Sequence, residues 1–412
     1  MHAQLEEMRR VQLKYQNAPD VLAGKNLVPL PYALSDPGLD AQSDAAFTDT
    51  TSDLSGFALS GSTSTLQQAN MSFSAMTAVA QSATDPLTDE IQGNLDIQYY
   101  GPLGFGQKTQ QLSVTMDTGS ADLWVPVNCN DSTNPQYKPA TSSTYKNTGN
   151  PFQVNYGMGH VQGTLAYDTI TVGGLKVNKQ YFGAVTQVSS DFNDDPISGL
   201  LGLGFSSIAM SGKPTFFENM IIQKKVCAPF FSVHLTRGKA SGSKITFGDY
   251  DISKAVGPLT WVPIISKTYW TVHFDGALVD GNYVSGDLDA AIDTGTTLIY
   301  VPQAFASSIY ANPGLAPAVN YGSSFFSFPC DSNPTVSFSL GGHDFGLSMQ
   351  DFNLGRDADG SGNCIGGIVG LGDKFIENFA IIGDEFLKSW YSVYDYSHGA
   401  RVGFAPSINN AQ

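Results

Sequence analysis

The sequence predicts an all-β protein of two lobes, and three observations carry that prediction. From Leu95 onward the chain is a succession of short runs rich in β-branched and aromatic residues, split by Gly, Asn, Asp and Pro. Helical periodicity is sparse. Thr115-Met-Asp117-Thr-Gly-Ser-Ala-Asp-Leu-Trp-Val-Pro126 is repeated as Ala291-Ile-Asp293-Thr-Gly-Thr-Thr-Leu-Ile-Tyr-Val-Pro302. Each copy is followed by an apolar-apolar-Gly segment, Leu200-Leu-Gly202 and then Ile381-Ile-Gly383. Closely spaced strands call for packed sheets, and the repetition in register calls for two halves built alike.

Taken in order, residues 3–17 read as a short amphipathic helix, with Leu5, Met8 and Tyr15 on one side and Arg9, Arg10 and Lys14 giving it a basic character. No Lys or Arg occurs from Asn26 to Gln107, and Ser35 to Ala83 is rich in Ser, Thr, Ala and Asp, the composition of a weakly ordered linker. Residues 1–85 therefore read as a prosegment and linker. Its basic helix would sit near an acidic cleft at neutral pH and leave as carboxylates protonate; the bland alternative is a tail with no inhibitory role. Phe73 and Met76 are candidate processing points, with a mature start near Ala83 to Leu87. Beyond lie strand candidates at Leu112–Met116, Thr164–Val172, Lys244–Phe247 and Trp270–Phe274, and helix candidates at Pro214–Gln223 and Gln303–Tyr310. Residues 86–255 and 256–412 are expected to form the two lobes.

In each Asp-Thr-Gly segment the glycine lets the backbone turn sharply, leaving the aspartate at the turn. Alone, such a segment is a β-turn capped by its own side chain. As a matched pair meeting tip to tip, Asp117 and Asp293 would face each other, and two anions that close hold one proton between them. One oxygen can then accept a proton from water while the partner donates to a carbonyl oxygen, which is general acid/base hydrolysis without a covalent intermediate.

These residues resemble the pepsin-like aspartic peptidases, over about Leu95 to Ala405. The resemblance implies a bilobal fold with two pseudo-twofold-related β lobes and a cleft between them. It also implies that Asp117 and Asp293 are the catalytic pair, that Ser120 and Thr296 hydrogen-bond the outer carboxyl oxygens, and that Thr118 and Thr294 tie the loops together beside Gly119 and Gly295. Phe152 to Leu165 reads as a hairpin with Tyr156, Gly157, Met158 and Gly159 at its tip. It resembles the flap that closes over substrate in the family, and Trp124 matches the tryptophan that bonds the flap tyrosine. Outside that context Tyr156 and Trp124 would read as core aromatics. Fungal relatives that accept lysine before the scissile bond carry aspartate at the flap position of Met158. A thioether cannot pair an ammonium, so large apolar or aromatic residues on both sides of the bond are expected. Ser198, where relatives commonly have aspartate, and the divergent Gln98–Gln107 bear on cleft shape.

The family has a disulfide at the place of Cys330 and Cys364, and it is expected here, in an oxidising compartment. Cys129 and Cys227 could pair, but read more simply as two thiols, at least one of them buried in the apolar run Val226 to Phe231. No Cys/His spacing suggests a metal, and no cofactor is expected. The chain of 412 residues is 42% apolar and 14% charged, with 37 acids against 21 Lys/Arg and a net charge of −16. That balance argues against nucleic acid and anionic membrane as partners, and no apolar run is long enough to span a bilayer. Polypeptide substrates, pepstatin-type inhibitors and the chain's own prosegment are the expected partners of a monomer. Secretion is expected, with vacuolar residence as the alternative; no signal peptide is visible, and sequons stand at Asn70 and Asn130. Two other functions compete. Relatives that lost catalysis act as binding proteins, but usually with a damaged Asp loop or flap tyrosine, and an unrelated serine hydrolase would need a Gly-x-Ser-x-Gly elbow that is missing.

Overall fold

The structure is a computed structural model that describes residues 7–8, 11–12, 14–15, 18–24, 81–130, 132–156, 159–192, 196–315, 319–321, 324–372 and 378–411. Leu5, Arg9, Arg10, Asn70, Phe73, Met76, Gly157, Met158 and most of the expected linker lie outside those residues. Strands dominate, as expected, and each half is wired the same way around its Asp loop. In the first half Gln110–Asp117 runs parallel to Gly199–Gly202, with Asp117 opposite Gly202. After the loop, Leu123–Pro126 comes back antiparallel to the same short strand and parallel to Leu175–Val188. In the second half Asn282–Ile292 runs parallel to Phe379–Ile382, with Ile292 opposite Ile382. Ile299–Pro302 then returns antiparallel to that strand and parallel to Ile368–Leu371. The two apolar-apolar-Gly segments are thus the central short strands of their halves. A Cβ on Gly202 would overlap the Ala121 backbone, and one on Gly383 would overlap the carbonyl oxygens of Thr296 and Leu298, so each loop packs on a residue that must be glycine.

Beneath both loops lies one antiparallel sheet to which both halves contribute. Its order is Ala83–Leu87, Ser243–Phe247, Phe230–His234, Trp390–Asp395, Arg401–Pro406 and Thr260–Pro263. The halves meet where Val233 faces Ser392. Aromatic rings seal that junction, Phe231 stacking on Tyr394 at 4.8 Å and Trp270 lying edge-on to it at 5.2 Å.

Helix Phe216–Ile222 begins at Thr215, whose side chain accepts from the Glu218 N–H while Glu218 accepts from the Thr215 N–H. Helix Gln303–Tyr310 matches its expected bounds. In the N-terminal stretch Glu7, Met8, Val11, Gln12 and Lys14 are helical, and a separate turn of helix, Ala18–Leu22, follows. Strand Ala83–Gln92 was not anticipated. Cys330 and Cys364 are disulfide-bonded. Cys129 and Cys227 are both free thiols, but the expectation that the thiol in the Val226–Phe231 run is buried is corrected: Cys227 is exposed and Cys129 is the buried one. Cys227 follows a turn at the sheet margin, where its thiol donates to the Gly248 carbonyl; Cys129 packs with Trp124, Phe152 and Phe192.

Candidate active site

Asp117 and Asp293 are buried at the ends of their strands, 1% and 0% exposed. In each loop the glycine N–H returns to the aspartate, Gly119 at 2.8 Å and Gly295 at 2.9 Å, which orients the inner carboxyl oxygen. The Ser120 hydroxyl donates to Asp117 Oδ2 at 2.6 Å and the Thr296 hydroxyl donates to Asp293 Oδ2.

The loops are clamped to one another by their threonines. The Thr118 N–H donates to Thr294 Oγ1 at 3.1 Å, and the Thr294 N–H donates to Thr118 Oγ1 at 3.0 Å. Each hydroxyl then donates onward to a carbonyl of the opposite loop, Thr118 to Ile292 at 2.8 Å and Thr294 to Met116 at 2.7 Å. The glycines permit the approach, since a Cβ on Gly119 would overlap the Asp293 carboxyl and one on Gly295 would overlap that of Asp117. Two carboxyls 176 positions apart in the chain are thereby held face to face.

Between them sits a cation. Lys14 Nζ lies 2.8 Å from Asp117 Oδ1 and 2.8 Å from Asp293 Oδ2, and also donates to the Gly295 carbonyl. The hydroxyl of Tyr15 donates to Asp293 Oδ2 at 2.9 Å. Farther along, the Glu7 carboxylate accepts from the Thr297 N–H. Met8, Val11, Tyr15, Ala18, Val21 and Leu22 pack as one apolar stripe against Ile97, Leu298, Tyr300 and their neighbours. Sequence reasoning placed Lys14 and Tyr15 on a basic helix expected near an acidic cleft, but did not single out Asp117 and Asp293 as the groups they would meet.

The electrostatics are asymmetric. Burial pushes Asp117 above the ordinary carboxylate range, and the Asp293 charge adds to the push against the opposing pull of Lys14. Burial works in the same direction at Asp293, but the Lys14 ammonium and hydrogen bonds from Asp117, Lys14 and Thr296 outweigh it and hold Asp293 low. With Lys14 in place, Asp117 is thus the more readily protonated of the pair and Asp293 the one held ionised. Burial pulls the Lys14 ammonium down, and the two facing carboxylates more than offset it, so it stays charged.

The expected hairpin forms from Lys146–Tyr156 and Gly159–Val172, with Tyr156 opposite Gly159 at its end. The Tyr156 side chain, like Gly157 and Met158, lies outside what the structure describes. Trp124 is buried beneath the hairpin, edge-on to Phe192 at 5.2 Å and clustered with Phe152, Val161, Leu165 and Leu200.

A family model described as "Eukaryotic aspartyl protease" matches residues 98–407. An "Aspartic protease" of Phaffia rhodozyma is 38% identical over 331 residues, covering 78% of this chain and 78% of its own length. "Cathepsin E-B" of Xenopus laevis is 35% identical over 338 residues, 80% of this chain and 83% of that protein. "Cathepsin E" of Oryctolagus cuniculus is 35% identical over 341 residues, 80% and 84% respectively.

Proposed function

The chain belongs to the eukaryotic aspartyl protease family as an aspartic-type endopeptidase, and from that premise we propose that it hydrolyses polypeptides at acid pH with a water activated between Asp117 and Asp293. The observation that carries the reading is the cross-bonded pair of loops, with one ammonium 2.8 Å from each carboxyl. A site that grips a single small donor from both sides can grip a water in the same place.

In the working enzyme the ionised member of the pair accepts a proton from that water as its oxygen attacks the scissile carbonyl. The protonated partner donates to the carbonyl oxygen, giving a neutral tetrahedral adduct. Collapse of the adduct sends a proton to the leaving amine and restores the single shared proton. Sharing of one proton is the established behaviour of aspartic peptidase dyads. Thr118 and Thr294 maintain the facing geometry, while Ser120 and Thr296 fix the outer oxygens. Tyr156, Gly157, Met158 and Gly159 form the flap that excludes water from the reacting carbonyl, backed by Trp124. With methionine at the flap, large apolar or aromatic residues are preferred on both sides of the bond.

The segment ahead of strand Ala83–Gln92 acts as a prosegment, and the chain works as a zymogen. Lys14 occupies the position of the catalytic water while Tyr15 and the apolar stripe fill the adjoining cleft, so substrate and prosegment exclude one another. The body divides at about residue 255 into the two lobes. A secreted monomer inhibited by pepstatin-type compounds is the setting this reading implies, with a vacuolar location as the alternative. The test is digestion of denatured protein between pH 2.5 and 6 by the acid-activated full chain and by Asp293→Asn, with and without pepstatin. Cleavage by the first alone, abolished by pepstatin, is expected; turnover by the Asn variant would sink the paired-acid mechanism.

A further inference from the structure

Away from the Asp loops, the first half carries two tyrosines and three lysines side by side on one outer face. Lys146, Tyr167 and Tyr181 stand directly opposite one another on the adjoining strands Lys146–Tyr156, Gly159–Val172 and Leu175–Val188, and side chains paired in this way share a face of the sheet. The two tyrosine rings lie 5.3 Å apart. Lys179 Nζ sits 5.4 Å over the Tyr167 ring and Lys213 Nζ 5.2 Å over that of Tyr181, close enough for the ring quadrupoles to hold both ammoniums in place. The rings are half-buried, while Lys146 and Lys179 are exposed. None of the three lysines has a carboxylate partner among the described residues. Asp168, next to Tyr167, is buried and accepts from the hydroxyls of Tyr137 and Ser142 instead. In a chain with 37 acids against 21 Lys/Arg, such a row is a local reversal of charge.

The row is joined to the cleft by the loop that carries Lys213. Ile208, on that loop, packs with the cluster that holds Val11 and Tyr15 of the N-terminal segment. The loop is fixed along its length: the Phe205 N–H donates to the Thr268 carbonyl at 3.0 Å, and the Asp122 carboxylate accepts from the N–H groups of Met210 at 2.7 Å and Ser211 at 3.0 Å. From Ile208 to Lys213 the chain can span at most about 17 Å. Resting on the peptidase reading above, we infer that the row of Lys146, Tyr167, Tyr181, Lys179 and Lys213 is a second binding surface for the substrate polypeptide, which takes a stretch of Asp and Glu roughly five to seven residues from the scissile bond. Ammoniums already ordered over rings lose little freedom when a carboxylate arrives. The contact is the same in the ground and transition states, so it lowers KM and leaves kcat alone. Lysines stay charged across the acid range, whereas ordinary Asp and Glu carboxyls protonate near pH 4. The surface therefore favours acidic polypeptides above about pH 4 and ignores them below it.

The experiment uses the acid-activated full chain and peptides with one common cleavage core. Each carries Asp-Glu-Asp or Asn-Gln-Asn about six residues from the bond, on the amino or the carboxyl side. On one side only, kcat/KM at pH 5.5 and low salt should favour the acidic peptide by about fivefold, through KM. The ratio should fall to within about twofold of one at pH 3 and in about 0.5 M salt. The combined variant Lys146→Gln, Lys179→Gln, Lys213→Gln should lose the preference, and the same three positions changed to Arg should keep it, since a guanidinium holds its charge over the rings. Each ratio is internal to one preparation, so partial loss of folded protein does not distort it. No acidic preference on either side, or a preference that survives the Gln variant, would overturn the inference while leaving the peptidase reading intact. Lysine-dependent binding of dextran sulfate without any peptide preference would overturn it too, assigning the row to a polyanion other than substrate. Failure of the parent chain to cleave any peptide would overturn both readings.

Discussion

Asp85 offers a sharp test of how burial couples this fold to acid. It points inward from the strand Ala83–Gln92, on the face that also buries Ala83, Leu87 and Asp89. Its Oδ2 has no hydrogen-bond partner, and it packs so closely on Gly101 that a Cβ there would lie 3.0 Å from that oxygen. Burial pushes its pKa from 3.8 to about 7. The folded state therefore holds a proton that the unfolded chain releases near pH 4. Stability from this group is complete below about pH 4, falls as pH rises and is gone above about pH 7. At about 1.36 kcal/mol per unit over roughly three units, the loss is about 4 kcal/mol. Asp85→Asn keeps the shape and removes the titration. The measurement is urea unfolding of Asp85→Asn and its parent between pH 3.5 and 7.5, both in an Asp293→Asn background so that self-digestion plays no part. The variant should gain on the parent by about 4 kcal/mol across that range, any constant cost of the amide cancelling in the difference. Curves that stay parallel within about 1 kcal/mol would refute the argument that this carboxyl is protonated in the fold.

Two further outcomes follow from the same kind of reasoning. In Lys14→Met the buried carboxyls lose their cation, and breaking such a contact costs about 3–5 kcal/mol, so the onset of self-processing should move to higher pH by a unit or more; an unmoved onset would show that Lys14 does not hold the segment in place. His234 is buried in the shared sheet, and burial, followed by the charges of Lys254 and Lys244, lowers its pKa from 6.5 to about 4. Stability from the neutral ring is present above about pH 6.5 and is lost as pH falls through 4, so His234→Phe should lessen acid destabilisation by about 3 kcal/mol, read from urea midpoints at pH 6.5 and 3.5, with equal slopes in variant and parent counting against it.

The Asp loops, their threonines and the glycine strands were legible because they are duplicated, and duplication survives in a linear text. The helix Gln303–Tyr310 was legible because its apolar positions fall on one face. Strand Ala83–Gln92 was not, because two of its inward positions are Asp85 and Asp89, which break the apolar alternation, and Pro86 argues against a strand. Pro86 is tolerated because the strand lies at the sheet margin, paired there with Ser243–Phe247 alone. The partners of Lys14 and Tyr15 were illegible for a different reason. Contacts spanning 278 and 279 positions depend on where the whole body places its cleft, and no window of sequence holds that information.

The shared sheet has a consequence for how the protein is made. Phe230–His234 pairs with Ser243–Phe247 on one side, but acquires its second neighbour only when Trp390–Asp395 has been synthesised. At about 5–20 residues per second the first half waits on the order of ten to thirty seconds with an unsatisfied hydrogen-bonding edge. Val233 and Phe231 line that edge, so nascent chains stalled or truncated between the two strands should be the species that chaperones retain and that aggregate when released.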